Sequence, residues 1–585
     1  GVLLHSYLKA VGFSEIKKRA EMKEILLDVI RNYDEKNVVS DHPDGTFAEF
    51  SKSYGYDCGI TVCGQYDEDN RFHVEYYYPF FKGTGITTNE PVTVERHADK
   101  ESFAGACDDL RIGITLIFYL QNGARYMLEK SKGNVLNKQK TNDMTVGNPV
   151  RLIIQFMIPM FLGNIFQQFY NIVDSIVAGQ FIGVDALAAI GSTGSLMFFV
   201  TGWLNGLSSG FAIIVAQMFG AKKYDDMRHF VAMSIYLMFG FAAAMTIGFL
   251  AFNVPILRLM NSPADLMGDV AGYMGIIYAG LLVTAAYNTL AAFLRALGDS
   301  KSPLYFLIIS AGINVVLDIV LIRFAGMGVE GCAYATVIAQ GVSAICCLVY
   351  IKKKYPILHL EKKNFELRKG SMSKLMILGI PMGLQFSITA IGTIIVQSAV
   401  NIYGATYMAG FSAAGKIQNV IGMVAVSMGA TIATYVGQNR GAGRMDRVKQ
   451  GVKYSWIMLL VWSVVEMALV YFGGKYFTYL FISPSQTDVV QVSVIYFRTV
   501  FWAYPFLCTI FVFRNALQGM GYGMVPMLGG VFELVARTLI VVLVAGRTTF
   551  AGVCLADPMA WIAALIPLIP YYYYVMGKHM KAMRQ

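Results

Sequence analysis

The stretch that indicates the fold is Val215-Ala216-Gln217-Met218-Phe219-Gly220, because Val436-Gly437-Gln438-Asn439-Arg440-Gly441 follows at an offset of 221 residues. Upstream, Ile158-Pro159-Met160 recurs as Ile380-Pro381-Met382 at nearly the same offset. One pattern is therefore present twice, and both copies consist of segments apolar enough to cross a bilayer. A doubled membrane bundle is the usual build of a secondary transporter, whose site lies between or within the two halves.

The composition is that of a protein embedded in a membrane. Hydrophobic residues make up 55% of the chain and charged residues 15%, whereas about a quarter of the residues of soluble proteins are charged. Residues 144–585 contain 30 Lys and Arg against 16 Asp and Glu. These basic residues lie in short loops between apolar segments, without interleaved aromatic residues, so we expect no nucleic-acid partner.

Residues 1–130 are predicted to form a small soluble α+β domain, since residues 1–143 contain 18 Lys and Arg against 22 Asp and Glu. The spacing of apolar residues predicts an amphipathic helix over residues 7–33. Shorter runs with alternating apolar residues predict extended structure at residues 59–65, 72–78 and 112–120. Residues 131–145 are polar and are predicted to be a linker.

Beyond the linker, twelve apolar segments are each long enough for the about 20 residues that cross a membrane. The predicted fold class is an all-α polytopic membrane protein with twelve transmembrane helices in two six-helix repeats. The first lobe is residues 146–350, a basic link is residues 351–372, and the second lobe is residues 373–576. Six spans per lobe give both lobes the same orientation. Basic loop residues gather on one side, eight of them between 352 and 374, so we expect both termini in the cytoplasm.

Acidic residues inside apolar spans are candidates for function, because an ionised carboxylate is costly in hydrocarbon. Asn314 and Asp318 are four residues apart and share a helical face, and Asp174 and Thr336 of the same lobe can complete the group. Carboxylates with amide and hydroxyl oxygens suit a proton or a hard cation such as Na⁺. The alternative is that Asp174 and Asp318 only cap or brace their helices.

Three more acids lie in spans of the second lobe. Glu533 is predicted to pair with Arg537 on the same helix, and Glu466 is predicted to be structural. Asp557 is expected either at a helix end or at the cavity, and Arg514 is assigned to a loop. No phosphate-binding Gly-x-x-x-x-Gly-Lys-[Ser/Thr] motif is present, and no catalytic triad or paired histidine ligands appear. We therefore expect neither an enzyme nor a cofactor.

Five motifs of the first lobe are specific when they are taken together. They are Gln167-Gln168-x-x-Asn171-x-x-Asp174, Gly183-Val184-Asp185-Ala186-Leu187-Ala188-Ala189-Ile190-Gly191, Gln217-x-x-Gly220-Ala221, Arg295-Ala296-Leu297-Gly298-Asp299-x-Lys301-x-Pro303 and Gly328-Val329-x-Gly331-x-Ala333-x-Ala335-Thr336. Through them the chain resembles the multidrug and toxic compound extrusion family over about residues 145–575. The resemblance implies twelve helices in two lobes around a central cavity. It also implies export of amphipathic, often cationic compounds against H⁺ or Na⁺.

The resemblance implies roles for individual residues of the first lobe. The coupling ion or proton is expected at Asp174, Asn314, Asp318 and Thr336, the cavity at Gln167, Asn171 and Asn288, and a helix bend at Pro159. Another branch of the family binds cations through acids on helices 7 and 10. The predicted spans 7 and 10 contain no Asp or Glu here, which favours the first lobe.

These features predict a monomeric antiporter of the bacterial inner membrane, with a small organic substrate and the lipid bilayer as its partners. Two alternatives stay open. One is a flippase for lipid-linked precursors, which is expected to have more basic residues facing its cavity. The other is a membrane-anchored sensor or scaffold, for which twelve spans are excessive. The front domain resembles a domain of unknown function of clostridial-type bacteria, through Leu4-His5-Ser6-Tyr7-Leu8 and Val11-Gly12-Phe13-Ser14, and this implies no chemistry.

Overall fold

Two compact units make up the chain, Gly1–Leu136 and Asn137–Gln585. The computed structural model describes four strands within residues 38–81, and residues 143–183, 190–191, 193–260, 264–544 and 549–582.

The described strands of the first unit form an antiparallel sheet in chain order. They are β1 (Val38–Asp41), β2 (Phe47–Ser53), β3 (Cys58–Tyr66) and β4 (Phe72–Phe81). Thr61 of β3 lies opposite Ser51 of β2 and Tyr78 of β4. The predicted extended runs at residues 59–65 and 72–78 are confirmed. The predicted helix over residues 7–33 and the run at 112–120 lie outside the described residues.

The described residues of the second unit are helical, because a backbone that crosses hydrocarbon must satisfy its hydrogen bonds within the segment. The helices of the first lobe are α1 (Pro149–Phe181), α2 (Gly194–Gly220), α3 (Tyr224–Ala251), α4 (Asn253–Leu259), α5 (Met267–Ala279), α6 (Leu281–Ala296), α7 (Lys301–Ile319) and α8 (Gly328–Lys354). A π-helical turn, Val320–Phe324, extends α7. Helices α5 and α6 meet at Gly280 with a bend of 48°.

The second lobe repeats this arrangement. Its helices are α9 (Lys369–Asn401), α10 (Ala405–Gly441), α11 (Met445–Thr478), α12 (Thr487–Val500), α13 (Tyr504–Gly519), α14 (Met524–Val544), α15 (Phe550–Cys554) and α16 (Ala556–Ala582). A 3-10 turn, Phe501–Ala503, joins α12 to α13 in one span. Helices α15 and α16 likewise form one span.

Membrane spans are counted over the described part of the chain. Eleven helical segments there are long and apolar enough to cross a bilayer, and the bent pair α5 and α6 supplies a twelfth. The predicted all-α membrane architecture of twelve spans is therefore confirmed. The long helices reach beyond the predicted apolar cores. Helix α3, for example, begins at Tyr224 and has Asp225 and Asp226 in its first turn, where polar residues give no hydropathy signal.

The two lobes meet closely along α2 and α9. A Cβ atom on Gly206 of α2 would lie 2.6 Å from the carbonyl oxygen of Met382, and one on Gly210 would lie 2.7 Å from the Cα of Gly379. Glycines four residues apart let the two backbones touch, as at many helix contacts in membranes. The second span of the first lobe is thereby packed onto the first span of the second lobe.

The basic link is folded against α3. Arg228 of α3 donates from Nε to the carbonyl of Ile357 over 3.0 Å. The ring of the buried His229 lies 3.1 Å from the carbonyl of Asn364 and 2.9 Å from the hydroxyl of Ser371. The link between the lobes is thus an ordered part of the bundle end and not a free tether.

Candidate functional site

A buried polar cluster lies where α7 packs against α8 in the first lobe. Asn314 and Asp318 are one turn apart on α7 and have 0% exposed surface, and Thr336 of α8 is 7% exposed. The Asn314 Nδ2 donates to the Thr336 Oγ1 over 3.5 Å. The structure therefore places three of the four residues predicted to bind the coupling ion in one buried region.

The oxygen of the Asn314 amide is buried and accepts no hydrogen bond from the described residues. Most buried polar atoms of proteins are hydrogen-bonded, so an unpaired acceptor calls for an explanation. Amide, hydroxyl and carboxylate oxygens are the ligands that hard cations prefer. A carboxylate also accepts a proton. The group formed by Asn314, Thr336 and Asp318 is chemically suited to both kinds of coupling ion.

The first helix packs against α7, the helix that carries Asn314 and Asp318. A Cβ atom on Gly163 of α1 would lie 3.8 Å from the Leu304 side chain of α7, so α1 and α7 are in contact. Asp174 and Asn171 belong to α1, but their side chains lie outside the described residues. The shared packing of α1 and α7 is the structural basis for treating Asp174 together with Asp318.

The other predicted residues of the first lobe occupy different environments. Gln167 of α1 is exposed, whereas Asn288 of α6 is half-buried. Pro159 lies inside α1, which continues as one helix from Pro149 to Phe181. Since proline has no backbone N–H, α1 lacks one helical hydrogen bond at this position.

A second buried polar group, in the second lobe, is an ion network. The side chains of Arg514 and Glu533 form an ion pair, and the other carboxylate oxygen of Glu533 lies 3.7 Å from Nη1 of Arg537. All three side chains are less than one-tenth exposed. The predicted Glu533–Arg537 pair is confirmed. The assignment of Arg514 to a loop is wrong, because this arginine lies within α13 and is compensated there by a carboxylate from α14.

Asp557, for which two positions were open, joins this network at the start of α16. Its Oδ1 accepts a hydrogen bond from the Nε of Arg537 over 3.2 Å. Its Oδ2 lies 3.1 Å from the hydroxyl of Tyr496, which also contacts the amide oxygen of Gln418. Two arginines and two carboxylates balance one another and tie α10, α12, α13, α14 and α16 together. The network therefore braces the second lobe without a net charge.

Two further acids of the second lobe are separate from this network. Glu466 is 1% exposed; Trp462 donates to it over 2.7 Å, and the Cys508 sulfur lies 3.5 Å away. These contacts tie α11 to α13 and agree with the predicted structural role. The prediction that span 10 contains no acidic residue is wrong, because α12 begins at Thr487 and includes Asp488. Asp488 is exposed in the first turn, where a helix favours negative charge.

The repeated Gln-x-x-Gly motif lies at the junction of the two lobes. Gln217, near the end of α2, donates from Nε2 to the carbonyl of Gly519 over 2.9 Å. Gln438, near the end of α10, donates from Nε2 to the carbonyl of Ala296 over 2.8 Å. Each glutamine thus contacts the last residue of a helix in the opposite lobe.

The glycines of the same motif are in reciprocal contact. A Cβ atom on Gly220 would lie 1.9 Å from the carbonyl oxygen of Gln438, and one on Gly441 would lie 1.8 Å from that of Gln217. The sequence predicts the repeat but not this contact between its two copies. The feature that could have indicated the contact is the presence of the same polar motif at the end of an apolar helix in both lobes.

Comparisons with known proteins agree with this architecture. The MatE family profile matches residues 159–320 and 381–562. The front segment, residues 8–147, matches a domain of unknown function described as E. rectale Gene description (DUF3881).

Two Bacillus subtilis (strain 168) proteins are similar to the chain. The probable multidrug resistance protein YoeA is 27% identical over 72% of this chain and 93% of its own length. The probable multidrug resistance protein YpnP is 28% identical over 76% of this chain and 99% of its own length. The crystal structure of MATE in the bent conformation has a TM-score of 0.71 and 20% identity, and it covers 76% of this chain and 99% of that one. The structural likeness shows the fold.

Proposed function

The chain belongs to the MatE family, and we propose that it is a secondary active antiporter that exports amphipathic, cationic organic compounds in exchange for H⁺ or Na⁺. It is a multi-pass transporter of the bacterial inner membrane. The observation that carries the proposed coupling is the buried contact between Asn314 and Thr336, with Asp318 one turn away. The two Bacillus relatives, which are named probable multidrug resistance proteins, support the proposed substrate class.

The first-lobe cluster is proposed to bind the coupling ion in one access state and release it in the other. Asp318 supplies the negative charge, and Asn314 and Thr336 supply neutral oxygens. Asp174, on the neighbouring α1, is proposed as the second carboxylate. An ion shifts the equilibrium between two states only through its different affinity for them. Opening the cluster to opposite sides of the membrane is the change that would make its affinity differ.

Substrate binding is proposed at the polar residues of the same lobe, Gln167, Asn171 and Asn288. Neutral amides beside apolar and aromatic side chains suit amphipathic compounds of varied shape, because they orient a ligand without demanding one charge pattern. The proposed substrate site is thus separate from the carboxylates of the coupling cluster, and exchange follows because substrate and ion favour different access states.

The second lobe does not favour a flippase for lipid-linked precursors. Such a carrier needs cationic side chains that are free to bind phosphate groups. Arg514 and Arg537 are both paired with carboxylates. We propose that this lobe is a rigid counterpart against which the first lobe changes its conformation.

The proposed domain bounds are those that the sequence predicts. Residues 1–130 form the front domain, residues 131–145 the linker, residues 146–350 and 373–576 the lobes, and residues 351–372 the basic link. Both termini are proposed to lie in the cytoplasm, since basic loop residues gather on one side of the membrane, eight of them between 352 and 374. The transporter is proposed to work as a monomer without a cofactor.

The test is export by the purified full chain in sealed vesicles, with tetraphenylphosphonium as an apolar organic cation. A pH gradient or a Na⁺ gradient is imposed separately, and movement of the probe is followed with an ion-selective electrode. With the membrane potential held at zero, the proposal expects one of the two gradients to drive the probe outward against its own gradient, and expects no such movement in protein-free vesicles, which this lipophilic cation also crosses by itself. Absence of gradient-driven movement of this probe and of a panel of amphipathic cationic dyes would refute the proposed antiport of cationic compounds.

A further inference from the structure

Four helices end or begin at the junction between the lobes. Helices α2 and α10 finish there, and α3 and α11 begin there; we call this the gate end of the bundle. Gln217 and Gln438 each donate one hydrogen bond across the junction, to Gly519 and Ala296 respectively. An alternating-access carrier has to open and close each end of its bundle in turn. These cross-lobe bonds must break whenever the gate end opens.

We propose that Gln217 and Gln438 are paired gate residues that hold the gate end closed, and that residues 144–147, the strap, are a third part of this gate. The proposal rests on the proposed transport function, since a gate has meaning only in a carrier. It assigns a positioning role to a motif present once in each repeat.

The strap is the segment through which the front part of the chain enters α1. The backbone N–H of Met144 donates to the Oε1 of Gln438 over 2.9 Å. The carbonyl of Met144 accepts from the Nδ2 of Asn439 and from the Nη2 of Arg447, each over 3.2 Å. The carbonyl of Gly147 accepts from the Nη1 of Arg447 over 2.9 Å. A segment continuous with the first lobe is therefore held by side chains of the second lobe.

One side chain joins both parts of the gate. The amide of Gln438 accepts from Met144 with its oxygen and donates to Ala296 with its nitrogen. Gln438 has no exposed surface, and Met144 is 2% exposed, so water does not replace these bonds while the gate is closed. A substitution at Gln438 can therefore remove the hydrogen bond to Ala296 and keep the one from Met144.

The test uses Gln→Glu substitutions, which keep the shape of the side chain and remove its N–H donors. At a pH at which the introduced carboxyl is ionised, Gln438→Glu removes the bond to Ala296 and keeps an acceptor for Met144. Gln217→Glu removes the bond to Gly519. Gln450→Glu, at an exposed glutamine on α11, is the matched control. Backbone hydrogen exchange of the purified full chain is measured by mass spectrometry for wild type and each variant.

The expected result is faster exchange at residues 217–223 and 438–444 in both gate variants. Each lost bond raises the ratio of open to closed gate populations about fivefold, and the double variant multiplies the two effects. Exchange at residues 402–405, at the opposite end of the bundle, becomes slower, because opening one end closes the other. A purely structural role would not slow exchange there. In Gln438→Glu the exchange at residues 144–147 rises with the rest of the gate, although their own acceptor is kept.

Wild-type exchange at the gate end in both variants would overturn the proposal. So would faster exchange in all spans alike, since that pattern reports loss of global stability. The Gln450→Glu control is expected to match wild type. The measurement needs no substrate and no ion gradient. Failure of the gate is therefore seen even if transport fails, and failure of transport is seen in vesicles even if the gate behaves as proposed.

Discussion

Replacing Gly220 by alanine tests the contact between the repeated motifs most severely. The added Cβ would lie 1.9 Å from the carbonyl oxygen of Gln438, 2.6 Å from its carbonyl carbon and 2.8 Å from its Cα. All three are main-chain atoms, so no side-chain rotation relieves the overlap. Helices α2 and α10 must separate by about an ångström or more before the atoms reach ordinary contact distance.

The cost of this change can be estimated from the effects of overpacking. Added methyl groups in packed cores cost about 1–3 kcal/mol when neighbouring side chains can shift. Because a backbone carbonyl cannot shift in that way, we expect at least about 3 kcal/mol against the closed gate. Every 1.4 kcal/mol is about a tenfold change in population. Gly220→Ala is therefore expected to raise the ratio of open to closed gate populations more than a hundredfold.

The matched control for this variant is Gly240→Ala on α3. A Cβ atom on Gly240 would meet nothing within 4 Å, and alanine in a helix interior is favoured over glycine by about 0.5–1 kcal/mol. Hydrogen exchange at residues 217–223 and thermal unfolding in detergent are measured for both variants. If Gly220→Ala is as well protected and as stable as Gly240→Ala, the close contact of the two motifs is refuted.

Three other changes test separate parts of the account. Arg514→Met leaves the buried carboxylate of Glu533 with only the longer contact to Arg537, so the free energy of unfolding should fall by about 3 kcal/mol or more. Yield and melting temperature in detergent measure this loss. Equal stability of variant and wild type would show that the ion pair of Arg514 does not stabilise the lobe. Glu466→Gln keeps both hydrogen-bond partners within reach and should export tetraphenylphosphonium at the wild-type rate, whereas loss of export with normal yield would give this acid a transport role. A chain that begins at Met144 should insert and export like the full chain, because it retains the strap; normal insertion without export would make the front domain essential.

The fold followed closely from the sequence because hydropathy and repetition act over whole segments. The bend at Gly280 and the π-helical turn after α7 did not follow from the pattern. Both depend on neighbouring helices and leave the mean hydropathy of a span unchanged. The predicted span 10 omits Asp488 for a related reason. Polar residues of a first turn, such as Asp488, look like loop residues in a hydropathy profile.

The candidate site was partly accessible from spacing. Asn314 and Asp318 fall on one face of a single helix, so their proximity is local information. Arg514 was misplaced because its partner, Glu533, comes from the next span and compensates its charge only in the folded bundle. The role of Gln217 and Gln438 cannot be predicted from the sequence, since they donate to main-chain carbonyls. Every residue has such a carbonyl, so no residue type identifies the acceptor.

The cluster at Asp318 is proposed to couple an ion gradient to export, and Asp318→Asn tests this role most directly. Wild type and variant are compared in sealed vesicles with two assays on the same preparation. The first assay measures gradient-driven export of tetraphenylphosphonium, and the second measures exchange of this cation between the two sides without any ion gradient. Asp318→Asn is expected to lose gradient-driven export, because the ion no longer distinguishes the two access states. Exchange of the organic cation without a gradient is expected to stay above its rate in protein-free vesicles. Gradient-driven export by Asp318→Asn at the wild-type rate would refute the coupling role of Asp318.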